Sequence, residues 1–249
     1  MHLLNRHQIY VAVMVGLLVF ASATAQAQSA ADSPWSAEAA LGFDNSIAGN
    51  INSSAIGQIN GQTVVITKNT YDEVYGTGLH LKFGGGYMVN ELTELRANFA
   101  FQTLSADLTP IGEIGAARLY GQYTDYQSFA LDVGVRRYRE ASSTVRTYGE
   151  GTVGLGFVDK TDMTLVAPQV NFTRKLTDFY DQTVAFTLGG NVGVLVQTGP
   201  RIGFFGQVGI RYVTGMASVD DLVGTGLESI NDKSGRWTMP LVFGVRARF

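Results

Sequence analysis

Eight times along this 249-residue chain, apolar side chains return at every second position. Period two belongs to the β-strand, whose successive side chains point to opposite faces, so the recurrence selects an all-β fold. The closing stretch, LVFGVRARF, shows it in bare form. Leu241, Phe243, Val245, Ala247 and Phe249 fall on one side, and Val242, Gly244, Arg246 and Arg248 on the other. In a water-soluble sandwich the apolar side faces a core, whereas in a membrane barrel it faces lipid and the arginines face the lumen.

The other segments repeat the pattern. Trp35 to Asp44 sets Trp35, Leu41 and Phe43 against Ser36, Glu38 and Asp44, and about Val74 to Met88 sets Leu79, Leu81 and Phe83 against His80 and Lys82. Leu92 to Leu104 opposes Leu95, Phe99 and Phe101 to Glu94, Arg96 and Asn98, and roughly Tyr120 to Tyr138 opposes Phe129, Leu131 and Val133 to Asp132 and Arg136. Val145 to Val158, Val184 to Val196, Ile202 to Val213 and Trp237 to Phe249 complete the eight. The fifth has the faintest pattern, because Gly149 and Gly151 occupy outward positions.

The connections alternate strictly in length. Long polar stretches lie at about 45–73, 105–119, 159–183 and 215–236, and short ones at 89–91, 139–144 and 197–201. Long outer loops opposite short periplasmic turns are what a transmembrane barrel requires, and a soluble sandwich has no reason for them. The expected fold is therefore an eight-stranded antiparallel up-and-down β-barrel. Closing it pairs the first and last strands so that facing residue numbers sum to about 284, which brings Glu38 near Arg246 and leaves Pro240 near the outer rim.

Export fits this fold. The opening stretch carries Arg6, an apolar run from Ile9 to Phe20 and then small residues, as a secretory signal does. That run is shorter than the roughly 20 residues of a spanning helix. Cleavage after Ala25 or after Ala27 satisfies the small-x-small rule, leaving 26–249 as one barrel domain. There is no cysteine, so stability rests on strand pairing and burial. The formal charge of −3 argues against a nucleic-acid partner.

Together with the signal, the eight segments and the terminal Val-Arg-Ala-Arg-Phe resemble the small outer-membrane barrels of the OmpA, OmpX and opacity-protein group. The resemblance implies residence in a Gram-negative outer membrane, contact with membrane lipid and lipopolysaccharide, and recognition of Phe249 as an assembly signal by the barrel-assembly machinery. Unlike OmpA, the sequence has no periplasmic peptidoglycan-binding domain after the eighth strand.

Chemistry is sparse. The inward set holds Glu38, Glu94, Asp132 and Glu150 beside Lys82, Arg96, Arg136, Arg146, Arg211, Arg246 and Arg248. An eight-stranded lumen is just wide enough for its own side chains, so these groups are expected to pair as a plug. A narrow, anion-favouring pathway is the alternative. After signal removal only His80 remains among histidines, with no serine close in sequence, which argues against a hydrolase of lipid and against zinc. No catalytic, metal or cofactor site is expected. The acidic pairs Asp220 with Asp221 and Asp178 with Asp181 read as solvated charge, with calcium as the alternative. Asn60-Gly61 between apolar stretches signals a hairpin projecting from the first loop, suited to a host surface or a protein partner.

Overall fold

The computed structural model describes residues 33–217, 222–231 and 235–249, so the signal segment, Asp220 and Asp221 lie outside it. In chain order the strands are β1 (Trp35–Ala48), β2 (Asn50–Asn52), β3 (Ala55–Ile59), β4 (Gln62–Ile66), β5 (Asn69–Thr70), β6 (Gly78–Asn90), β7 (Thr93–Leu104) and β8 (Thr109–Ile114). There follow β9 (Ala117–Tyr123), β10 (Tyr126–Glu140), β11 (Val145–Val158), β12 (Thr161–Ala167), β13 (Phe172–Tyr180), β14 (Thr183–Gln197), β15 (Ile202–Val213) and β16 (Arg236–Arg248). One helical turn, α1 (Tyr71–Val74), precedes β6, and a 3-10 turn (Pro168–Val170) links β12 to β13.

Eight of the strands close a barrel in the order β1-β6-β7-β10-β11-β14-β15-β16, with β16 returning to β1. All neighbours are antiparallel, and the seam pairs Ser36 with Arg248 and Glu38 with Arg246, giving the expected sum of 284. Pro240 lies opposite Asp44, and the β15–β16 ladder skips from Val208↔Leu241 to Arg211↔Thr238, so the absent proline N–H falls where pairing is already interrupted.

Alternation sorts the side chains. Leu41, Phe43, Leu131, Val133, Phe186, Val192 and Phe243 are exposed on the barrel exterior, whereas Glu38, Lys82, Arg136 and Glu150 are buried inside. Apolar outside and charged inside is the reverse of a soluble protein, and it needs lipid as the surrounding solvent. Aromatic pairs mark both ends of the belt: Trp35 with Tyr87 at the short-turn side, and Tyr212 with Trp237 at the long-loop side. The architecture is that of a small eight-stranded transmembrane β-barrel.

Above the barrel the structure departs from the sequence reading. The second segment does not begin at Val74, which closes α1, but at Gly78. The fourth is two strands, β9 and β10, separated at Thr124 and Asp125. The long connections are not loose polar stretches. The first three supply a six-stranded sheet in the order β13-β12-β9-β8-β4-β3. Beneath it Ile66, Tyr71, Ile111, Leu119, Met163 and Leu165 are buried in one apolar core. The fourth connection is tied on by backbone bonds from Ser53 N–H to Ile230 O and from Gln58 N–H to Thr225 O, each 2.7 Å. Asn60 and Gly61 take φ of 51° and 76°, the two positive values that a type I′ hairpin between β3 and β4 demands.

Candidate functional site

Among the described residues the lumen gathers the buried ionic chemistry, and it does so in tiers. In the central tier Glu38 on β1 accepts from Arg136 Nη1 at 2.5 Å and from Arg96 Nη2 at 2.6 Å. Arg136 reaches across to Glu150 at 2.6 Å, and Lys82 approaches the same carboxylate at 3.1 Å. Glu94 accepts from Arg246 Nη2 at 2.7 Å, from the Ser36 hydroxyl at 2.5 Å and from the Tyr138 hydroxyl at 2.7 Å. Arg246 also contacts the Tyr138 hydroxyl directly. The Arg136 guanidinium lies 4.2 Å from the centroid of the Tyr148 ring, a cation–π stack.

Seven charged groups from six strands thus share one network: three carboxylates, Glu38, Glu94 and Glu150, with four bases, Lys82, Arg96, Arg136 and Arg246. Each charge has a partner of opposite sign, the condition under which buried ions are tolerated. Glycine makes the room. A Cβ on Gly86 would fall 2.0 Å from Glu94 Oε1, so only a bare backbone admits that carboxylate beside the wall.

Toward the long loops the next tier joins Asp132 to Arg211 at 3.0 Å and to the Thr187 hydroxyl at 2.6 Å. His80 Nδ1 lies 3.2 Å from Gln102 Nε2, as a satisfied lumen histidine should. The uppermost tier escaped the sequence reading. Asp44 on β1 faces Arg236 at 3.7 Å, Arg236 Nε donates to the Ser46 hydroxyl at 2.9 Å, and the guanidinium lies 4.4 Å from the Tyr126 ring centroid. By its position in the sequence Arg236 closes the fourth long connection. Its parity with Arg246, an even step along one strand, was the available signal.

Two expected members stand elsewhere. Arg146 pairs with Glu140 at 2.8 Å at the short-turn rim, and Arg248 is half-buried at the end of β16, its backbone N–H donating to Arg201 O. Both follow lumen parity, but they lie beyond the depth at which the barrel wall encloses them. With those two removed and Asp44 and Arg236 added, the interior set becomes five acids and six bases, a surplus of one base in place of three. Phe249 lies just past β16, and its N–H donates to Trp35 O at 3.2 Å.

Little space remains between the tiers. A void of about 30 Å³ lies among His80, Asp132, Asn191 and Arg211, and another of about 10 Å³ lies between Gln102, Ser128 and Thr187. A single water needs roughly 10–15 Å³ of such space, so these leave room for isolated waters and not for a column. No group of three or more metal-ligating side chains occurs among the described residues, and the Asp178 carboxylate is occupied by Lys160 at 2.7 Å.

No family model and no curated sequence matches the chain. Solved structures similar to it include Neisserial surface protein A, NspA, at 12% identity, covering 87% of this chain and 98% of that one with a TM-score of 0.46. Outer membrane protein OprG from Pseudomonas aeruginosa matches at 12% identity, with the same coverages and a TM-score of 0.44. The outer membrane protease OmpT from Escherichia coli matches at 9% identity, over 88% of this chain and 98% of that one, with a TM-score of 0.42.

Proposed function

We propose that this chain is a non-enzymatic protein of the bacterial outer membrane whose lumen is closed to solutes and whose folded outer cap is a recognition surface. The observation that carries the reading is the contrast between a lumen filled by paired side chains and a cap built well beyond what closing a barrel requires. Three loops from different hairpins share one sheet over a continuous apolar core. Loops fixed in this way pay little further ordering entropy when a partner binds, and such preorganisation favours recognition. The cap offers a partner a firm β-sheet face, in which exposed Ile56 pairs with Val65 and half-buried Tyr120 pairs with Val166. A host surface molecule or another envelope protein suits that face.

The test is surface display. Cells expressing the chain are compared, for attachment to host cells and for co-purifying envelope proteins, with cells expressing a variant whose β3–β4 and β8–β9 hairpins are replaced by short turns. Loss of attachment or of a specific partner, with normal barrel yield, is expected. Unchanged partners and attachment, together with steady single-channel currents from the intact chain, would replace this reading with that of a pore.

A further inference from the structure

A second feature lies on the lipid side of the wall, at the periplasmic end. A trough of about 820 Å³ runs across β11, β14, β15 and β16, with Gly149, Val192, Gly206 and Leu241 in its floor and Arg137 and Arg139 at one end. Its depth comes from missing side chains. A Cβ on Gly149 would meet nothing within 4 Å, and a Cβ on Gly206 would touch only the Phe243 ring.

The trough slopes. Arg137 pairs with Gly149, Gly149 with Val192, Val192 with Val208 and Val208 with Leu241, one continuous row of outward positions. Arg137 is three residues from its strand end at Glu140, whereas Leu241 is seven from the end of β16 at Arg248. The row therefore starts at the periplasmic rim and climbs into the apolar belt.

The two arginines are exposed on the lipid-facing side, against the alternation that puts charge inside. Among the described residues neither has an ion-pair partner, because the neighbouring Glu140 carboxylate is taken by Arg146. Residues two apart on one strand face sit roughly 6.8 Å apart, close enough for both guanidinium groups to reach one phosphate. Long cationic side chains near a membrane boundary extend to the headgroup level, where anionic lipid attracts them.

We infer that this trough is a binding site for one anionic glycerophospholipid of the periplasmic leaflet. The phosphate is held between Arg137 and Arg139, and an acyl chain lies along the row past Gly149 toward Leu241. The geometry selects this occupant over two others. Lipid A phosphates belong to the outer leaflet, at the opposite end of the strands. A second copy meeting this face through a two-fold axis along the membrane normal would bring its own Arg137 and Arg139 against these, like charge to like. The inference needs only that the barrel spans a membrane, and it is independent of what the cap binds.

The experiment uses the full chain folded into nanodiscs containing phosphatidylcholine with a minor share of phosphatidylglycerol. Retained lipid is measured by native mass spectrometry after transfer to mild detergent. Wild type is expected to retain one phosphatidylglycerol in preference to phosphatidylcholine. R137Q/R139Q should weaken that preference roughly thirtyfold, as expected for two interfacial basic residues. Gly149→Leu should displace the acyl chain while leaving both charges in place. Heat-modifiable mobility identifies folded barrels in each sample. Equal retention by wild type and the arginine variant overturns the site, and so does a dimer that forms in place of lipid binding. Because no cap ligand enters the measurement, failure here leaves the recognition reading untouched.

Discussion

Within the lumen the charges are unequally shared, and the inequality sets what single changes do. Glu150 is the only carboxylate in contact with Lys82 among the described residues, whereas Arg136 keeps Glu38 when Glu150 is removed. Glu150→Ala should therefore strand Lys82 and cost about 3–5 kcal/mol in reversible unfolding from vesicles, the usual effect of removing one partner of a buried pair. Adding Lys82→Met should recover most of that loss, and a double-mutant cycle with no coupling would remove the pair from the network. Leu131, on the opposite face of the neighbouring Asp132, obeys other rules: Leu131→Arg should cost about 2–4 kcal/mol if it lies near the bilayer midplane, with denaturant midpoints as the measure. Phe249 separates stability from assembly. It contributes one backbone bond to the seam, so its deletion should barely move the unfolding midpoint. If the terminal aromatic is read by the assembly machinery, the same deletion should sharply lower folded barrel yield in cells. Equal yields would discard that role.

At the scale of elements, the barrel strands could be read from alternation and the cap strands could not, for a single physical reason. An apolar residue at every second position says that one face leaves water, but not whether it enters lipid or protein. In β9, Leu119 and Tyr123 point into the cap core, while in β10, Phe129 and Leu131 point to lipid. Both sets are odd-numbered, so the pattern runs on through Thr124 and Asp125 where the chain leaves the cap and enters the wall. The start of β6 departs from the alternation for another reason. Thr70 and Glu73 form the spacing of a capping box, and Thr70 N–H donates to the Glu73 carboxylate at 2.8 Å, so α1 was signalled before Val74. Within the lumen, the Glu38–Arg246 register followed from antiparallel closure alone, but which acid meets which base depends on reach across the lumen, which no spacing encodes. The cap elements carry two predictions of their own. Leu119→Ala should loosen the cap by about 2–5 kcal/mol, seen as faster amide exchange in β8, β9 and β12 with the barrel's exchange unchanged. Asp162 ties β12 to β13 through Lys175 at 2.9 Å and the Asp178 N–H at 2.8 Å. Although burial raises its pKa, these contacts outweigh that and hold it below its ordinary value of 3.8. A lowered folded pKa stabilises above the ordinary carboxylate range, and the contribution is lost as pH falls through the folded value. Protection of β13 amides should accordingly persist at pH 5 and fade below about pH 4. Asp162→Asn should abolish that dependence.

For the whole molecule, a lumen filled by paired side chains lies below the apolar core of the cap, so silence in planar bilayers is the expected wild-type behaviour. Sustained currents would show that the tiers part in the membrane. The cap's strand order has a further consequence, for the order of events during biogenesis. β4 bonds to β8 and β9 bonds to β12, so each junction joins loops that lie between different pairs of barrel strands. None of these ladders can form on a lone hairpin. The shared sheet, and the apolar core beneath it, can therefore be completed only after the wall strands have brought the loops together. Once zipped, the loops brace one another across the mouth. A protease that nicks one of them is expected to leave both fragments gripped by neighbouring ladders, so that the cut chain still migrates as one folded body until it is boiled.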